Sequence, residues 1–414
     1  MNLTPYKKVF ALPGVTALIL VGSAARFPIA ASGMTMLFHV RDTLGRNYFE
    51  AGLVAAVLTI GVAVGSTVTG RIIDKVGLRP IIAVTTATAT LFWVSATVLP
   101  YQALLAVAFP AGLLSLPAFS AIRQGLAAMV PAEMRRTAYS LDSMGVEVAF
   151  IIAPAAAIFV AGQNSRVAMV GVAALITISG TLLFRLNPPT KSAAEIAEMA
   201  GQARPPRKVW LRGPMVAMLI GAVAATVALG GSEVSMVALL TKHGQAAQAG
   251  IVLGLWAAFS LIGGFVYGAI HREVHPLLLL GGMCAMLLPI ALATNWWVMV
   301  LATVPPGLLC APALASMVDR VSRIVPPAVR GEAMGLHGSA ITIGGAIGAP
   351  AVGAVIDRFG PEWGFVAAGG AGVVIAVIGL VLMTFWRGPA GQAQPTAAVQ
   401  DALAKPGDVL PEAA

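Results

Sequence analysis

The chain has 414 residues, of which 58% are hydrophobic and only 10% charged, and its mean hydropathy is +0.87. A soluble globular protein carries about 25% charged residues, so a water-soluble enzyme or binding module is excluded. The net charge of +9 would suit nucleic acid on a soluble protein, but here the basic residues lie between apolar runs and read as topology signals, so the expected partner is the lipid bilayer and not nucleic acid.

A membrane helix needs roughly 20 mostly apolar residues. Twelve runs meet that requirement: 11–38, 49–70, 80–99, 102–128, 139–162, 166–186, 214–240, 249–270, 276–293, 296–319, 333–356 and 363–386. No cleavage signal follows the first run, which is read as an uncleaved first span. Leu99-Pro100-Tyr101 and Thr294-Asn295 form tight turns between spans 3 and 4 and between spans 9 and 10. The 45 glycines and 27 prolines are tolerated in such helices, because neighbouring helices satisfy the freed backbone groups. Cys284 and Cys310 both lie inside apolar runs and read as small packing residues, not as a disulfide framework or metal ligands.

With the N-terminus inside, the inner loops hold Lys7, Lys8, Arg71, Lys75, Arg79, Arg135, Arg136, Arg204, Arg207, Lys208, Arg212, Arg272, Arg320, Arg323 and Arg330. The outer loops hold Arg41, Arg46, Arg166, Lys242 and Arg358. This bias predicts that both termini are cytoplasmic. Residues 188–213 are polar and proline-rich and read as a cytoplasmic linker between six-helix bundles at 1–187 and 214–387. Residues 388–414, rich in Ala, Pro and Gln, read as a disordered cytoplasmic tail.

The two halves repeat each other. Pro117, Val130-Pro131, Arg135, Ala138 and Leu141 recur 195 residues later as Pro312, Val325-Pro326, Arg330, Ala333 and Leu336, and Ala153-Pro154 recurs 196 later as Ala349-Pro350. Gly52, Gly65 and Gly70 recur 198 later as Gly250, Gly263 and Gly268. Two similar apolar halves suggest a gated pathway between two bundles.

The loop after span 2 reads Gly70-Arg71-Ile72-Ile73-Asp74-Lys75-Val76-Gly77-Leu78-Arg79-Pro80. It resembles the G-x-x-x-D-[RK]-x-G-x-[RK] loop of the major facilitator superfamily, and the twelve spans, linker and half-repeat agree over residues 1–387. The resemblance implies an all-α membrane protein of 12 transmembrane helices in two pseudo-symmetric six-helix bundles. It also implies a conformational latch. Gly70 permits close helix approach, Asp74 caps the N-terminal end of span 11 near Gly331-Glu332-Ala333, Gly77 permits the turn, and Arg79 supplies the counter-charge. In the second copy Arg272 and Glu273 replace the Asp-Lys pair, so one half is expected to carry the working latch. Arg123-Gln124-Gly125 is loosely like the R-x-x-Q-G motif of proton-coupled exporters, with the wrong spacing and late in span 4. Gly344, Gly348, Pro350 and Gly353 in span 11 are like an antiporter motif, or simply pack helices.

Ionisable groups inside a membrane are costly and are functional hypotheses by default. Arg26, mid-span 1, either binds an anionic or hydroxyl-rich substrate or pairs with a carboxylate, Glu147 being the expected partner. Multidrug exporters of the family carry an acid in span 1, so Arg26 counts against a general cationic-drug pump. Glu147 in span 5 is the first candidate for proton coupling. Glu233 in span 7 is the second, and Gly230-Gly231 before it suggest a locally loose helix. Asp142 lies nearer the mouth and is expected to gate or cap. Asp319 is expected to pair with Arg320 or Arg323, and His337 to be a hydrogen-bonded helix contact. Trp256, Phe259, Trp296 and Trp297 read as lipid or interface anchors.

The overall expectation is a monomeric transporter of the bacterial efflux-permease type (arabinose-efflux or drug:proton antiporter-like). It would move a small molecule across the inner membrane by alternating access, coupled to protons and without a cofactor. One alternative is a proton-coupled uptake symporter for a small organic anion, supported by Arg26. Another is a transport-dead sensor or scaffold, against which the intact Asp74 loop argues. An enzyme is least expected, since the sequence shows no nucleophile–base set, phosphate loop or metal cluster.

Overall fold

In the computed structural model, residues 4–46, 48–192, 195–197, 205–270 and 274–385 are described. Arg204, Arg272, Glu273 and the 388–414 tail lie outside them. The described residues contain helices and no strand. Span 1 is Val15–Phe38, prolonged by a π-turn to Thr43, and spans 2 and 3 are Tyr48–Val76 and Leu78–Ser95. Span 4 is in two pieces, Tyr101–Leu113 and Ala118–Met129, and spans 5 and 6 are Arg135–Gln163 and Ser165–Leu186. Spans 7 and 8 are Gly213–Lys242 and Ala249–Ala269. Span 9 is Pro276–Leu287 with a 3-10 extension Leu288–Leu292. Spans 10, 11 and 12 are Trp296–Ile324, Arg330–Phe359 and Pro361–Phe385. Eleven of these are long and apolar enough to cross a membrane, and span 9 is the shorter twelfth.

Three departures from the sequence reading have local causes. Span 4 is interrupted at Leu114–Pro117, because Pro117 has no N–H to continue the ladder. Span 7 runs unbroken through Gly230 and Gly231, contrary to the expected loosening. Gly231 packs against Val352 and Ala368, and Gly230 lies against the backbone of Ala349. A short helix, Thr4–Phe10, precedes span 1 and buries Tyr6 and Val9.

Glycines set the packing where backbones touch. A Cβ at Gly65 would collide with the Leu113 carbonyl, and one at Gly263 with the Leu308 carbonyl. Leu113 and Leu308 are themselves 195 residues apart, so the repeat read from the sequence recurs as a contact between spans 2 and 4 and between spans 8 and 10. Gly344 and Gly348 bring span 11 onto the span 7 backbone at Val223 and Val227, which makes them packing residues.

The apolar core distinguishes the two ends of the molecule. At the end that carries the Asp74 loop, first-half residues such as Leu18, Ile73, Ile122 and Tyr139 join one continuous cluster with second-half residues such as Met215, Val318 and Ala333. The far ends of spans 1 to 6 form a separate cluster that includes Met36, Val54, Phe92, Trp93 and Met169. Among the described residues, the two halves are therefore fused at the Asp74 end and share no core at the opposite end.

Candidate functional site

The loop after span 2 closes as its residue types demand. Gly77 takes φ +88°, a left-handed conformation that a side chain would strain, and it ends span 2 in a tight turn. Asp74 Oδ1 accepts from the Gly331 N–H at 2.9 Å and Oδ2 from the Glu332 N–H at 2.9 Å. Both donors are first-turn groups of span 11 that the helix itself leaves unpaired. Gly70 allows this approach, since a Cβ there would strike the Gly331 carbonyl. Further along, Ser66 Oγ donates to Gly335 O at 3.0 Å, and Thr67 and Ser339 hydroxyls lie 2.9 Å apart.

Arg79 is not the counter-charge of this contact. It donates to the Phe184 carbonyl and lies over the Phe184 ring. The cations beside the latch are Arg71 and Arg207, both paired with Glu332, a buried carboxylate that the sequence reading passed over as part of the span 11 start. The linker adds a second carboxylate, Glu195, held by Arg330 at 2.6 and 3.1 Å and by Arg135 at 3.9 Å. Arg135 and Arg330 are repeat equivalents, one from each half. Burial alone would push the Glu195 carboxyl up, but the Arg330 hydrogen bond, the Ser192 N–H and the two arginine charges hold it below the usual range.

The seam between spans 5 and 8 is the repeat counterpart of the seam between spans 2 and 11. Thr137 Oγ1 donates to Gly268 O at 2.7 Å, and Arg136 Nη1 donates to Ile270 O at 2.8 Å. Tyr6 stacks on Phe265 with ring centroids 4.8 Å apart and donates its hydroxyl to the Phe265 carbonyl. Burial pushes the Tyr6 phenol up to about 12, so it remains a donor at neutral pH. Asp319 takes Arg323 as its partner at 3.0 and 3.1 Å, and Arg323 also reaches the Ala132 carbonyl at 2.8 Å.

Beyond these seams lies a buried charge cluster. Arg26 Nη2 donates to Asp142 Oδ1 at 2.6 Å, with the two side chains 0% and 2% exposed. Arg123 Nε lies 3.6 Å from Asp142 Oδ2. Both guanidinium groups sit over the Phe119 ring, at 4.8 and 5.3 Å. Arg26 therefore pairs with Asp142, not with Glu147, and Asp142 is buried in the interior. One turn and a half separates the two acids on span 5, enough to point them to different neighbours. Arg123 is a functional candidate that the sequence reading set aside on spacing. The arginine itself was visible in Arg123-Gln124-Gly125, but its burial beside Asp142 was not.

Glu147 is half-buried and accepts from Ser260 Oγ at 2.8 Å, a bond that joins spans 5 and 8. Glu233 is exposed within span 7 and stands within electrostatic reach of Glu147. The polar contacts between the halves thus run from the Asp74 loop as far as Glu147–Ser260, with Glu233 just past them. His337 is fully buried on span 11 within electrostatic reach of Arg123, and neither ring nitrogen has a hydrogen-bond partner, which corrects the expected helix contact. Trp256 is 7% exposed and belongs to the core, whereas Trp297 at 53% fits a lipid-facing anchor. Cys284 and Cys310 are buried free thiols, and no group of three or more metal-ligating side chains occurs among the described residues.

The family model of the Major Facilitator Superfamily matches residues 18–293 and 275–410. The chain belongs to the Major Facilitator Superfamily. Solved structures of the superfamily share its fold. The human organic anion transporter MFSD10 (TETRAN) superposes with a TM-score of 0.69 at 15% identity, covering 89% of this chain and 99% of that one. The proton:xylose symporter XylE bound to 6-bromo-6-deoxy-D-glucose gives 0.65 at 13%, covering 90% and 99%. A bacterial homologue of the iron transporter ferroportin, in an outward-facing state, gives 0.67 at 14%, covering 90% and 100%. None of the curated proteins matches the chain. As a superfamily member with this fold, the protein is a multi-pass membrane transporter of a small molecule.

Proposed function

We propose that the protein exports a small molecule across the inner membrane in exchange for protons, by alternating access, as a monomer without a cofactor and with both termini in the cytoplasm. In this reading the 1–187 and 214–387 bundles rock about a central site, joined by the 188–213 linker. The observation that carries it is the position of Glu147. It sits where the seal between the halves stops, half-buried, bonded across the halves to Ser260 and within electrostatic reach of a second carboxylate, Glu233. A proton entering from the open end would relieve the repulsion between the two acids and alter the Glu147–Ser260 tie. The Asp74 latch then sets how readily the cytoplasmic end opens. An anion at a helix N-terminus is worth about 0.3–2 kcal/mol, enough to shift a balanced equilibrium several-fold.

A second reading, proton-coupled uptake of a small organic anion, is favoured by the excess of arginine around Asp142. The similar structures named above include a proton:xylose symporter and an organic anion transporter, which supports this reading. Proteoliposomes with pH gradients of each sign separate the two: exchange drives substrate toward the acidic side, and symport drives it away. Glu147→Gln is expected to keep gradient-free exchange and lose driven transport. Driven transport surviving in Glu147→Gln but lost in Glu233→Gln would move coupling to Glu233.

A further inference from the structure

We propose that the cluster of Arg26, Arg123 and His337 is an anion subsite, which takes the acid group of a small organic carboxylate and so rests on the organic-anion reading of the transport above. The first ground is charge. Two arginines face one carboxylate, Asp142, so the cluster holds one positive charge more than it neutralises, with Arg26 and Arg123 at 0% and 5% exposure. An uncompensated charge away from water is strongly destabilising, and a purely structural ion pair between spans 1 and 5 would need one arginine, not two.

The second ground is unpaired polar atoms. Arg26 Nε and Nη1 and both ring nitrogens of His337 are buried without a hydrogen-bond partner. Buried polar groups are paired in the great majority of cases. Here four unpaired atoms belong to two side chains, on spans 1 and 11, both within electrostatic reach of Arg123 on span 4. Guanidinium groups present a planar fork that matches a carboxylate. Asp142 occupies part of that fork and shows what the site accepts.

The third ground is place. Arg26 and Arg123 belong to the first half and His337 to the second, so the subsite is assembled where the halves meet. Parting the seam between spans 2 and 11 would draw His337 away from Arg123 and uncover the arginines. A ligand held there would bind both halves together, as alternating access requires of a transported molecule.

The test uses the purified full-length protein and four potassium salts, acetate, lactate, benzoate and succinate. Glucose serves as the neutral probe and tetraphenylphosphonium as the cationic one, all at constant ionic strength. A ligand of the native state raises the melting temperature. At least one carboxylate is expected to do so, and the two other probes are not. Arg123→Gln leaves the Arg26–Asp142 pair in place and is expected to weaken the response about tenfold or more, whereas Arg123→Lys retains part of it. Asp142→Asn is the second variant: acetate is expected to stabilise it more than chloride does. Stabilisation by no carboxylate, an equal response in Arg123→Gln, or no preference for acetate over chloride in Asp142→Asn overturns the subsite. Gradient-driven transport is read separately in proteoliposomes. Carboxylate binding without driven movement upholds the subsite and removes the transport reading, while driven movement of the neutral or cationic probe alone does the reverse.

Discussion

The seams between spans 2 and 11 and between spans 5 and 8 are related by the internal repeat, yet opposite chemistry closes them. In the first, a side-chain acceptor, Asp74, meets two free N–H groups at the start of span 11. In the second, side-chain donors, Thr137 and Arg136, meet free carbonyls at the end of span 8. Each solution satisfies backbone groups that a helix terminus leaves over. The polarity depends on which helix of the pair offers the side chain. The second copy of the loop has Arg272 where the first has Asp74, so an acid lost from one helix is answered by donors on its neighbour. The first seam combines a charge with direct backbone contact, whereas the second is held by side chains, the Arg136 guanidinium and the hydroxyls of Thr137 and Tyr6.

The largest effect is expected where backbones touch. Gly70→Ala places a methyl group on the Gly331 carbonyl, and Gly331→Ala does the same against Gly70 and Asp74. Neither backbone can yield as a side chain would, so the first seam cannot close. Substrate counterflow in proteoliposomes is expected to fall to background in either variant, with insertion retained. Near-normal counterflow would show that the seam does not need direct backbone contact.

Asp74→Asn is expected to come next. It keeps one acceptor oxygen but loses the charge and the second acceptor, so transport falls several-fold or more, in line with the 0.3–2 kcal/mol of a charge at a helix N-terminus. Thr137→Val and Tyr6→Phe remove neutral donors from the second seam, worth about 0.5–1.5 kcal/mol each. Each single change is expected to reduce counterflow less than Asp74→Asn. A larger loss in Thr137→Val would reverse the ranking of the two seams.

The fold and the first seam were legible in the sequence because their signals are local. Each of the twelve apolar runs and the spacing within Gly70–Arg79 sits in one stretch of chain, and the repeat is read by laying one such stretch on another. Asp74, Gly70 and Gly77 act as their types suggested, while Arg79 turns to Phe184. The charge cluster was only half legible. Arg26 and Asp142 were recognised as intramembrane charges, but pairing depends on helix rotation. An acid five residues from Glu147 faces another neighbour, and Arg123 lies in the second piece of span 4, after the break at Pro117. The repeat did not help there, since Pro312, the counterpart of Pro117, lies inside an unbroken span 10. The role of Glu195 was hidden because it depends on Arg135 and Arg330 meeting from opposite halves.

The smallest expected effect belongs to that linker carboxylate, which bridges the two seams. Its lowered folded-state value means that the stabilisation is present above the ordinary glutamate value of about 4.3 and is lost as pH falls through the lowered one. The melting-temperature difference between the native protein and Glu195→Gln is therefore expected to stay level from pH 8 to about pH 5 and to shrink only at more acid pH. A difference that vanishes near neutral pH would contradict the clasp.

The central claim is that the two ends open in turn, with the Asp74 end closed in this structure. Both native cysteines are buried, so spin labels can be directed to introduced cysteines. One pair, Lys75 with Ala328, spans the first seam, and a second pair, Asp42 with His243, spans the opposite end. Pulsed dipolar distances in lipid nanodiscs should fall into two populations. In the Asp74→Asn background the Lys75–Ala328 distance should lengthen while the Asp42–His243 distance shortens. A single fixed distance for both pairs, unchanged by Asp74→Asn, would contradict alternating access through this latch.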